Sequence, residues 1–558
     1  MIYLILILTL ITRFVFLDST PPSLNWDEVS HGYNAFSILT SGKDEWGKIM
    51  PLIFKAYGDF KLPVYIYLTS VSEFFFGINS FAVRLPSVLS GIGTVWITYL
   101  LVVELLKDNL KFVKSYKRIA LFSAFFVAIE PWTFFLGRPA FEANLALFLF
   151  ILAVYLFIKF IKCLKLKYLI FSTLFFGLTV WTYNSYRIFT PLFLLSLLLI
   201  YKNELKSIFK ENKILVKKTL ILLVIFFVPM FYQLVSSSGS ARYFKVAILD
   251  EGATNKIIES RRKIKAPDPI PRILSNKITY FSKEFIKNYF SHFSPKFLIL
   301  EGGSNYQFSL PKTGLIYFIN FPFLIIGFIY LLKLKTKESY LLLSWILLGP
   351  IASSLTREAP HVLRAITMLP IPMILTSFGV NYVIKKIKGR NRLLMTFLYV
   401  VILFLFFENY LMKYFIDYKN KYSESWQYGY LEVVSYIKEN NDNYAKIIIT
   451  KKYGEPHEFI LFYSAFNSNR YRNDKNLNRF YQTGWYWVDG FDKYYFVNDW
   501  QIPKEGYKFI QESKKIVDCR QAKCLLVTSP KNAPVGWSKI KTVNFLDGSI
   551  AFELYENN

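Results

Sequence analysis

Long apolar blocks occupy most of the first three quarters of this 558-residue chain. Several of them reach the roughly 20 residues that an α-helix needs to cross about 30 Å of hydrocarbon. A hydrophobic content of 53% does not fit an ordinary soluble protein. The sequence therefore predicts a polytopic α-helical membrane protein with about 11 transmembrane helices. The candidate spans are residues 1–17, 81–106, 119–137, 143–161, 168–184, 188–201, 219–235, 313–332, 339–355, 362–384 and 393–412.

The basic residues lie mainly between these blocks. The formal net charge is +28, a value that is also typical of nucleic-acid-binding proteins. Here, however, the cations cluster in alternate connectors, and Lys and Arg in connectors mark the cytoplasmic side because they resist translocation. The pattern predicts a plasma-membrane protein with a cytoplasmic N-terminus, an extracytoplasmic C-terminus and no nucleic-acid partner. The basic connectors are residues 107–118, 162–167, 202–218, 333–337 and 385–392.

Two apolar segments decide this topology. Residues 1–17 lack a basic leading region and a small-residue cleavage site, so we interpret them as an uncleaved first helix. Residues 63–77 are short for a span and contain Glu73, so we interpret them as a helix lying in the membrane interface. Counting residues 63–77 as a span would reverse every later helix and place the basic connectors outside.

The predicted domains follow from this topology. Residues 1–412 form a transmembrane domain with two long outer loops, at 18–80 and 236–312. Residues 413–558 form a soluble extracytoplasmic domain. Both loops and this domain lie on one side of the membrane, so we expect the functional groups there.

The C-terminal region has the periodicity of a small α/β domain. Residues 423–440 show helical spacing of apolar side chains, whereas residues 445–450 and 524–528 are short strand-like runs. Residues 542–555 alternate around an Asp-Gly turn at 547–548, which is typical of a hairpin.

Three cysteines are present in the chain. Cys163 falls at the cytoplasmic end of a predicted helix, where a structural disulfide is not expected. Cys519 and Cys524 lie in the extracytoplasmic domain and form either a local disulfide or two free thiols. Their spacing matches no common zinc pattern, and no metal site is indicated.

A pair of acidic residues, Asp27 and Glu28, follows the first helix. Ionisable groups at membrane level are costly to desolvate and therefore suggest a functional site. The alternative is that Asp27 caps a helix that begins near Glu28. These residues alone support both interpretations.

Charged residues recur at other predicted outer positions. Lys61 follows a polar turn and either binds a lipid phosphate or extends to the headgroups. Arg138 and Glu142 lie in a short hairpin, where a structural ion pair is the alternative to a functional role. His361 and Arg364 are predicted on one face of the tenth helix, where a buried cation needs an anion or a cavity.

Four motifs together resemble the GT-C membrane glycosyltransferases, and more narrowly the protein O-mannosyltransferase and aminoarabinose transferase group. They are Trp-Asp-Glu at 26–28, Lys-x-Pro at 61–63, Phe-Ala-Val-Arg-Leu-Pro-Ser at 81–87 and Gly-Arg-x-x-x-Glu at 137–142. The resemblance implies a sugar donor carried on a polyprenyl phosphate. It also implies an acceptor hydroxyl on a glycan, lipid or protein, and contact with membrane lipids. The residues alone identify neither the sugar nor the acceptor.

The resemblance also implies roles for individual residues. Asp27 matches the family's general base, with Glu28 beside it as in the paired motif of the mannosyltransferases. Lys61 matches the phosphate-contacting lysine, although the usual Lys-Pro-Pro is Lys-Leu-Pro here. Arg138 and Glu142 match the second loop, where Glu replaces the frequent Asp.

His361 and Arg364 match the family's late basic motif loosely. With Lys61 and Arg138, they are the predicted donor-phosphate contacts. We therefore expect an inverting transfer that uses Asp27 as the base and these cations to hold the departing phosphate.

The sequence is also compatible with other functions. A polytopic transporter is one alternative, but the polar groups concentrate at one face, without a corresponding pair of broken helices at the midplane. A lipid-carrier flippase or binding protein is another. An oligosaccharide ligase or a metal-dependent oligosaccharyltransferase is a third, although no clear metal-binding motif is present.

Overall fold

The computed structural model describes residues 1–58, 60–236 and 245–557. The helices are α1 (Ile2–Phe14), α2 (Trp26–Ser41), α3 (Pro63–Phe76), α4 (Ser80–Leu106), α5 (Tyr116–Ile129), α6 (Pro131–Leu136), α7 (Glu142–Cys163), α8 (Leu166–Val180), α9 (Tyr186–Ile200), α10 (Lys202–Glu211), α11 (Lys213–Val235), α12 (Glu251–Lys263), α13 (Ile270–Leu274), α14 (Lys277–Ser291), α15 (Phe321–Leu334), α16 (Lys337–Leu348), α17 (Ile351–Ser354), α18 (Ile371–Lys386), α19 (Arg390–Met412), α20 (Lys419–Lys421), α21 (Tyr430–Glu439), α22 (Pro456–Tyr463) and α23 (Ser468–Arg472).

The strands are β1 (Phe54–Lys55), β2 (Phe60–Lys61), β3 (Lys446–Thr450), β4 (Asn478–Gln482), β5 (Trp485–Phe491), β6 (Tyr494–Val497), β7 (Lys508–Ile510), β8 (Ile516–Asp518), β9 (Cys524–Thr528), β10 (Trp537–Asn544) and β11 (Ile550–Asn557). The chain forms two compact units. Unit 1 comprises residues 1–15 and 87–410, and unit 2 comprises residues 16–86 and 411–558.

The apolar helices make this a multi-pass membrane protein. Among the described residues, the helices long and apolar enough to cross a membrane are Ser80–Leu106, Glu142–Cys163, Lys213–Val235 and Arg390–Lys421. A fifth span results if α9 and α10 count as one helix bent by 82°. The predicted number of about 11 spans is therefore not confirmed.

Proline residues explain part of this difference. The helices α5 and α6 meet at Pro131, α16 and α17 meet at Pro350, and α18 begins just after Pro370. Proline lacks an N–H donor and its ring clashes with the preceding turn, so it often kinks or ends a helix. Helices α4, α9 and α11 do continue through Pro86, Pro191 and Pro229. At Pro131, Pro350 and Pro370, apolar composition suggested continuous spans, whereas the backbone is divided.

Unit 1 contains a close helix crossing between α15 and α18. A Cβ atom on Gly327 would lie 1.8 Å from the carbonyl oxygen of Leu375, and one on Gly379 would lie 1.9 Å from that of Phe323. Small residues at such a crossing let two backbones approach within van der Waals contact.

The predicted loop 236–312 contains α12, α13 and α14 within unit 1, and its residues 237–244 lie outside the described part of the chain. The side chain of Asn276 caps α14. The helix predicted at 63–77 is also present as α3. Its position in the membrane interface stays a prediction.

Unit 2 is built on a seven-stranded sheet with the order β10-β11-β9-β3-β6-β5-β4. The central strand β3 is parallel to both of its neighbours, and Ile447, Ile448 and Ile449 on it are buried. The predicted strands and the hairpin around Asp547 and Gly548 are confirmed as β3, β9, β10 and β11. Helix α22 packs against α2, which carries the acidic pair.

The structure contains a disulfide between the buried residues Cys519 and Cys524. Replacing both by serine should lower the free energy of unfolding of unit 2 by about 2 kcal/mol, because a short cross-link restricts the unfolded chain. Thermal unfolding of the purified protein measures this effect. Cys163→Ser is the control, since Cys163 is exposed and free. A double variant as stable as the control would contradict the prediction.

Candidate active site

The start of α2 orients the acidic pair. The N-cap is Asn25, whose side chain accepts a hydrogen bond from the Glu28 backbone, while the Glu28 carboxylate accepts one from the Asn25 backbone at 3.1 Å. This capping box satisfies backbone donors at the helix end. The alternative interpretation, in which Asp27 caps the helix, is therefore wrong, and the Asp27 carboxylate is available for other contacts.

Asp27 forms an ion pair with Lys61. The β1–β2 hairpin pairs Phe54 with Lys61 and presents the lysine to the helix start. Tyr57, from the same hairpin, donates its hydroxyl to Asp27 Oδ1 at 2.7 Å. The Lys61 side chain is 8% exposed and that of Asp27 is 41% exposed, so the carboxylate is the accessible member of the pair.

These contacts favour ionised Asp27. Burial opposes ionisation, but the Lys61 ammonium, together with the hydrogen bonds from Lys61 and Tyr57, lowers the pKa of Asp27 to about 2. Burial and the nearby carboxylate raise the pKa of Tyr57 well above its ordinary value. Asp27 is thus a carboxylate and Tyr57 a neutral hydrogen-bond donor throughout the physiological pH range.

Glu28 has a different environment. Its carboxylate accepts hydrogen bonds from Arg84 Nε at 3.0 Å and from Arg84 Nη2 at 3.2 Å, and both side chains are essentially unexposed. Arg84 also donates to the carbonyl groups of Leu17, Pro21 and Ser23. This network fixes the chain that enters α2.

Aromatic residues of the sheet support the hairpin. The ring of Trp485 stacks on Tyr57 with centroids 5.5 Å apart, and its indole N–H donates to Glu455 Oε1 at 2.5 Å. The Tyr486 backbone N–H donates to the carbonyl group of Tyr57. Residues far apart in sequence therefore hold the tyrosine that contacts Asp27.

Arg138 and Glu142 belong to unit 1. The Arg138 guanidinium is fully buried and donates to the carbonyl groups of Thr12, Arg13 and Val15 at the end of α1, at 2.6–2.9 Å. Glu142 begins α7. In this structure Arg138 satisfies helix-end carbonyl groups that lack intrahelical partners. The donor-phosphate role of Arg138 stays a prediction.

His361 and Arg364 also belong to unit 1, and they lie together. The Arg364 backbone N–H donates to His361 Nδ1 at 3.3 Å, and its guanidinium contacts Thr356 and Glu358, each at 2.9 Å. The backbone here is a 3₁₀ turn, Arg364–Met368, and not the first turns of the predicted helix. Their phosphate contacts stay predictions.

Sequence reasoning assigned no role to Tyr57 or Arg84. An arginine inside an otherwise apolar helix start is a signal that could have identified Arg84, because such a charge requires a partner. Tyr57 carried no comparable signal. Among the residues that the structure describes, no three His, Cys, Asp or Glu side chains are grouped as metal ligands.

Comparison with known proteins agrees with the motifs. Residues 61–232 match the family model of dolichyl-phosphate-mannose-protein mannosyltransferases. This match begins at Lys61 and includes the hairpin that carries Arg138 and Glu142. No curated protein matches the chain.

Two solved structures share the fold. ArnT from Cupriavidus metallidurans, bound to undecaprenyl phosphate, aligns over 100% of this chain and 98% of its own with 11% identity and a TM-score of 0.55. The archaeal oligosaccharyltransferase AglB from Archaeoglobus fulgidus, in complex with an inhibitory peptide and a dolichol-phosphate, aligns over 83% of this chain with 13% identity and a TM-score of 0.50. The alignment covers 63% of AglB. The resemblance to GT-C membrane glycosyltransferases is confirmed.

Proposed function

We propose that this chain is an inverting glycosyltransferase that moves a sugar from a polyprenyl-phosphate donor to an acceptor hydroxyl on the outer face of the membrane. The family match, which covers residues 61–232, and the shared fold support this activity. The ArnT structure in the comparison holds undecaprenyl phosphate, a lipid of the proposed donor class.

The observation that carries the proposal is the contact of Asp27 with Lys61 and Tyr57. A partly exposed carboxylate can accept a proton, and an adjacent lysine can hold a phosphate as a point charge. Phosphate is a good leaving group, so the reaction needs one base and one cation but no paired acid. Asp27 and Lys61 provide these two groups within unit 2.

The proposed transfer step needs no group other than these residues, the donor and the acceptor. The acceptor O–H proton passes to the Asp27 carboxylate, and the acceptor oxygen forms a bond to the anomeric carbon. The bond from that carbon to the phosphate oxygen breaks on the opposite side, and its electron pair leaves with polyprenyl phosphate. The configuration at the anomeric carbon is therefore inverted. Glu28, which is enclosed by Arg84, acts as a positioning residue for α2.

The ion pair explains how donor binding would activate the base. A carboxylate with a pKa of about 2 is a weak base, and Lys61 is the partner that lowers this pKa. A donor phosphate attracts the Lys61 ammonium and draws its charge away from Asp27. The pKa of Asp27 then rises, and Asp27 becomes a stronger base only when the donor is present.

Lys61→Gln should therefore weaken donor binding and shift the pH profile. A charge-assisted contact contributes about 1.5–3 kcal/mol, so we expect KM for the donor to rise about 10- to 100-fold. Without the lysine, the pKa of Asp27 rises towards its ordinary value. As the pH is lowered, the variant should therefore lose activity at a higher pH than the wild type does. Steady-state kinetics across pH measures both effects. Lys48→Gln, at an exposed lysine, is the control. Unchanged donor affinity would contradict the phosphate role.

We further propose that unit 2 lies outside the plasma membrane, with the N-terminus in the cytoplasm. The basic connectors support this orientation, and so does the Cys519–Cys524 disulfide, because disulfides persist in oxidising compartments. An alkaline phosphatase fused to the C-terminus should be active in intact cells. If the fusion is active only when it is placed in one of the connectors predicted to be cytoplasmic, the orientation is the reverse of the one proposed.

The test of the function is release of polyprenyl phosphate. The purified full chain is mixed with synthetic polyprenyl-phosphate sugars and an extract of envelope glycans, lipids and proteins, and the freed carrier is measured by mass spectrometry. The enzyme should release the carrier as the sugar appears on an acceptor. A transporter or flippase would bind or move the donor without cleaving it, and that result would overturn the proposal. Comparison of envelope glycans with and without the gene then identifies the acceptor.

A further inference from the structure

Unit 2 contains a cavity of about 380 Å³ that the catalytic contacts do not use. Its wall includes Trp26, Trp485 and Trp487 together with Lys451, Glu455 and Asn498. We call it the tryptophan cavity. Its volume is within the range of about 300–1,000 Å³ that is typical of small-molecule sites.

The aromatic side chains are held as a rigid surface. Trp485 and Trp487 are two residues apart on β5, so their side chains lie on the same face of the sheet, with ring centroids 5.9 Å apart. Trp26 packs against Gly454, where a Cβ atom would lie 2.3 Å from the indole ring. Gly454 has a φ of +116°, so the backbone at this contact is one that favours glycine. Aromatic faces of this kind bind the apolar faces of sugar rings.

The buried charges around the cavity are already balanced. Lys451 forms an ion pair with Asp489 and lies 3.6 Å from Glu512, so its charge is neutralised within the protein. Glu455 accepts the indole N–H of Trp485, and burial raises its pKa to about 7. Asn498 donates to Glu512 at 3.1 Å. The exposed residues Lys452 and Glu424, which also line the cavity, carry opposite charges. Polar groups beside aromatic rings, with Lys451 paired inside the protein, suit a neutral polyhydroxyl ligand better than an ion or a lipid chain.

Two residues of the cavity wall, Trp26 and Trp485, are neighbours of residues at the proposed base. Trp26 immediately precedes Asp27, and Trp485 stacks on Tyr57, which donates to Asp27. A ligand that contacts Trp485 would therefore touch the residue that supports Tyr57, the hydrogen-bond donor to the proposed base.

Resting on the proposed function, we propose that the tryptophan cavity is the acceptor subsite and binds a neutral saccharide. The sugar ring stacks on Trp485 and Trp487, while Glu455 and Asn498 contact its hydroxyl groups. The acceptor hydroxyl is one of those of the bound saccharide, and its proton passes to Asp27 as described above.

The test is direct binding of the full chain in lipid nanodiscs to an array of neutral oligosaccharides built from hexoses and N-acetylhexosamines. The strongest array ligand is then titrated against tryptophan fluorescence. Wild type and Trp500→Ala should bind equally, because Trp500 is 81% exposed and outside the cavity. Trp487→Ala should bind about 10-fold more weakly, since the variant loses both the stacking contact and the apolar area that the sugar would cover. Trp487→Phe should retain most of the affinity.

If Trp487→Ala does not fold, hydrogen exchange on the wild-type protein locates the bound saccharide without the variant. The bound saccharide should slow exchange in residues 451–455 and 485–487 relative to the β7–β8 hairpin. The proposal is overturned if no array saccharide binds, if Trp487→Ala binds like Trp500→Ala, or if the slowed exchange occurs only in other segments of the chain. The carrier-release assay distinguishes failure of this proposal from failure of the proposed function, because it detects transfer to any class of acceptor. If the wild type releases the carrier but binds no array saccharide, only the subsite proposal is overturned.

Discussion

Asp27→Asn is expected to lower the rate of sugar transfer by about 10²- to 10⁴-fold, the usual contribution of a general base. The substitution keeps the shape of the side chain and leaves an oxygen that can accept the Tyr57 hydroxyl. It removes the proton acceptor and the negative charge that pairs with Lys61. The lysine remains available for the donor phosphate, so kcat should fall while KM for the donor changes little.

Steady-state kinetics with a polyprenyl-phosphate sugar measures this effect, and a thermal unfolding curve shows whether the variant is folded. Asp442→Asn is the matched control, because Asp442 is an exposed aspartate in a surface turn of the same unit. A folded Asp27→Asn variant with a kcat within about threefold of the control would rule out Asp27 as the base, since base removal costs at least about 10²-fold.

Arg84→Met is expected to destabilise unit 2 by roughly 3–5 kcal/mol, because it leaves Glu28 buried without its ion-pair partner. The carbonyl groups of Leu17, Pro21 and Ser23 would also lose the donors that they have in the structure. The guanidinium lies 5.9 Å from the ring of Trp426, so tryptophan fluorescence during denaturant unfolding should report the change.

Two further variants make this result specific. Arg470→Met removes an ion pair with Asp492 in which the arginine is 65% exposed, and it should cost less than about 1 kcal/mol. Glu28→Gln added to Arg84→Met removes the unpaired charge and should restore part of the lost stability. Equal effects of Arg84→Met and Arg470→Met would show that the buried pair does not stabilise the unit.

Local sequence patterns identified several of the helices and strands. The hairpin at Asp547 and Gly548 and the helix after Pro63 are both present. Each depends on turn or capping chemistry between residues close in sequence. The same reasoning failed at Pro131, Pro350 and Pro370, where the apolar blocks continue but the helices do not. Hydropathy averaged over a window does not register one missing backbone donor.

The sequence by itself determined that this is a multi-pass membrane protein whose motifs resemble those of GT-C membrane glycosyltransferases, and it predicted a site that contains Asp27 and Lys61. Only the tertiary structure separated the acidic pair into an accessible carboxylate and an enclosed one. Glu28 meets Arg84 at a separation of 56 residues, and Tyr57 stacks on Trp485 from the far end of the chain. Such partners are set by packing between distant segments, and neither periodicity nor spacing records which side chains will meet. The pKa of a carboxylate depends on those partners, and so does its role.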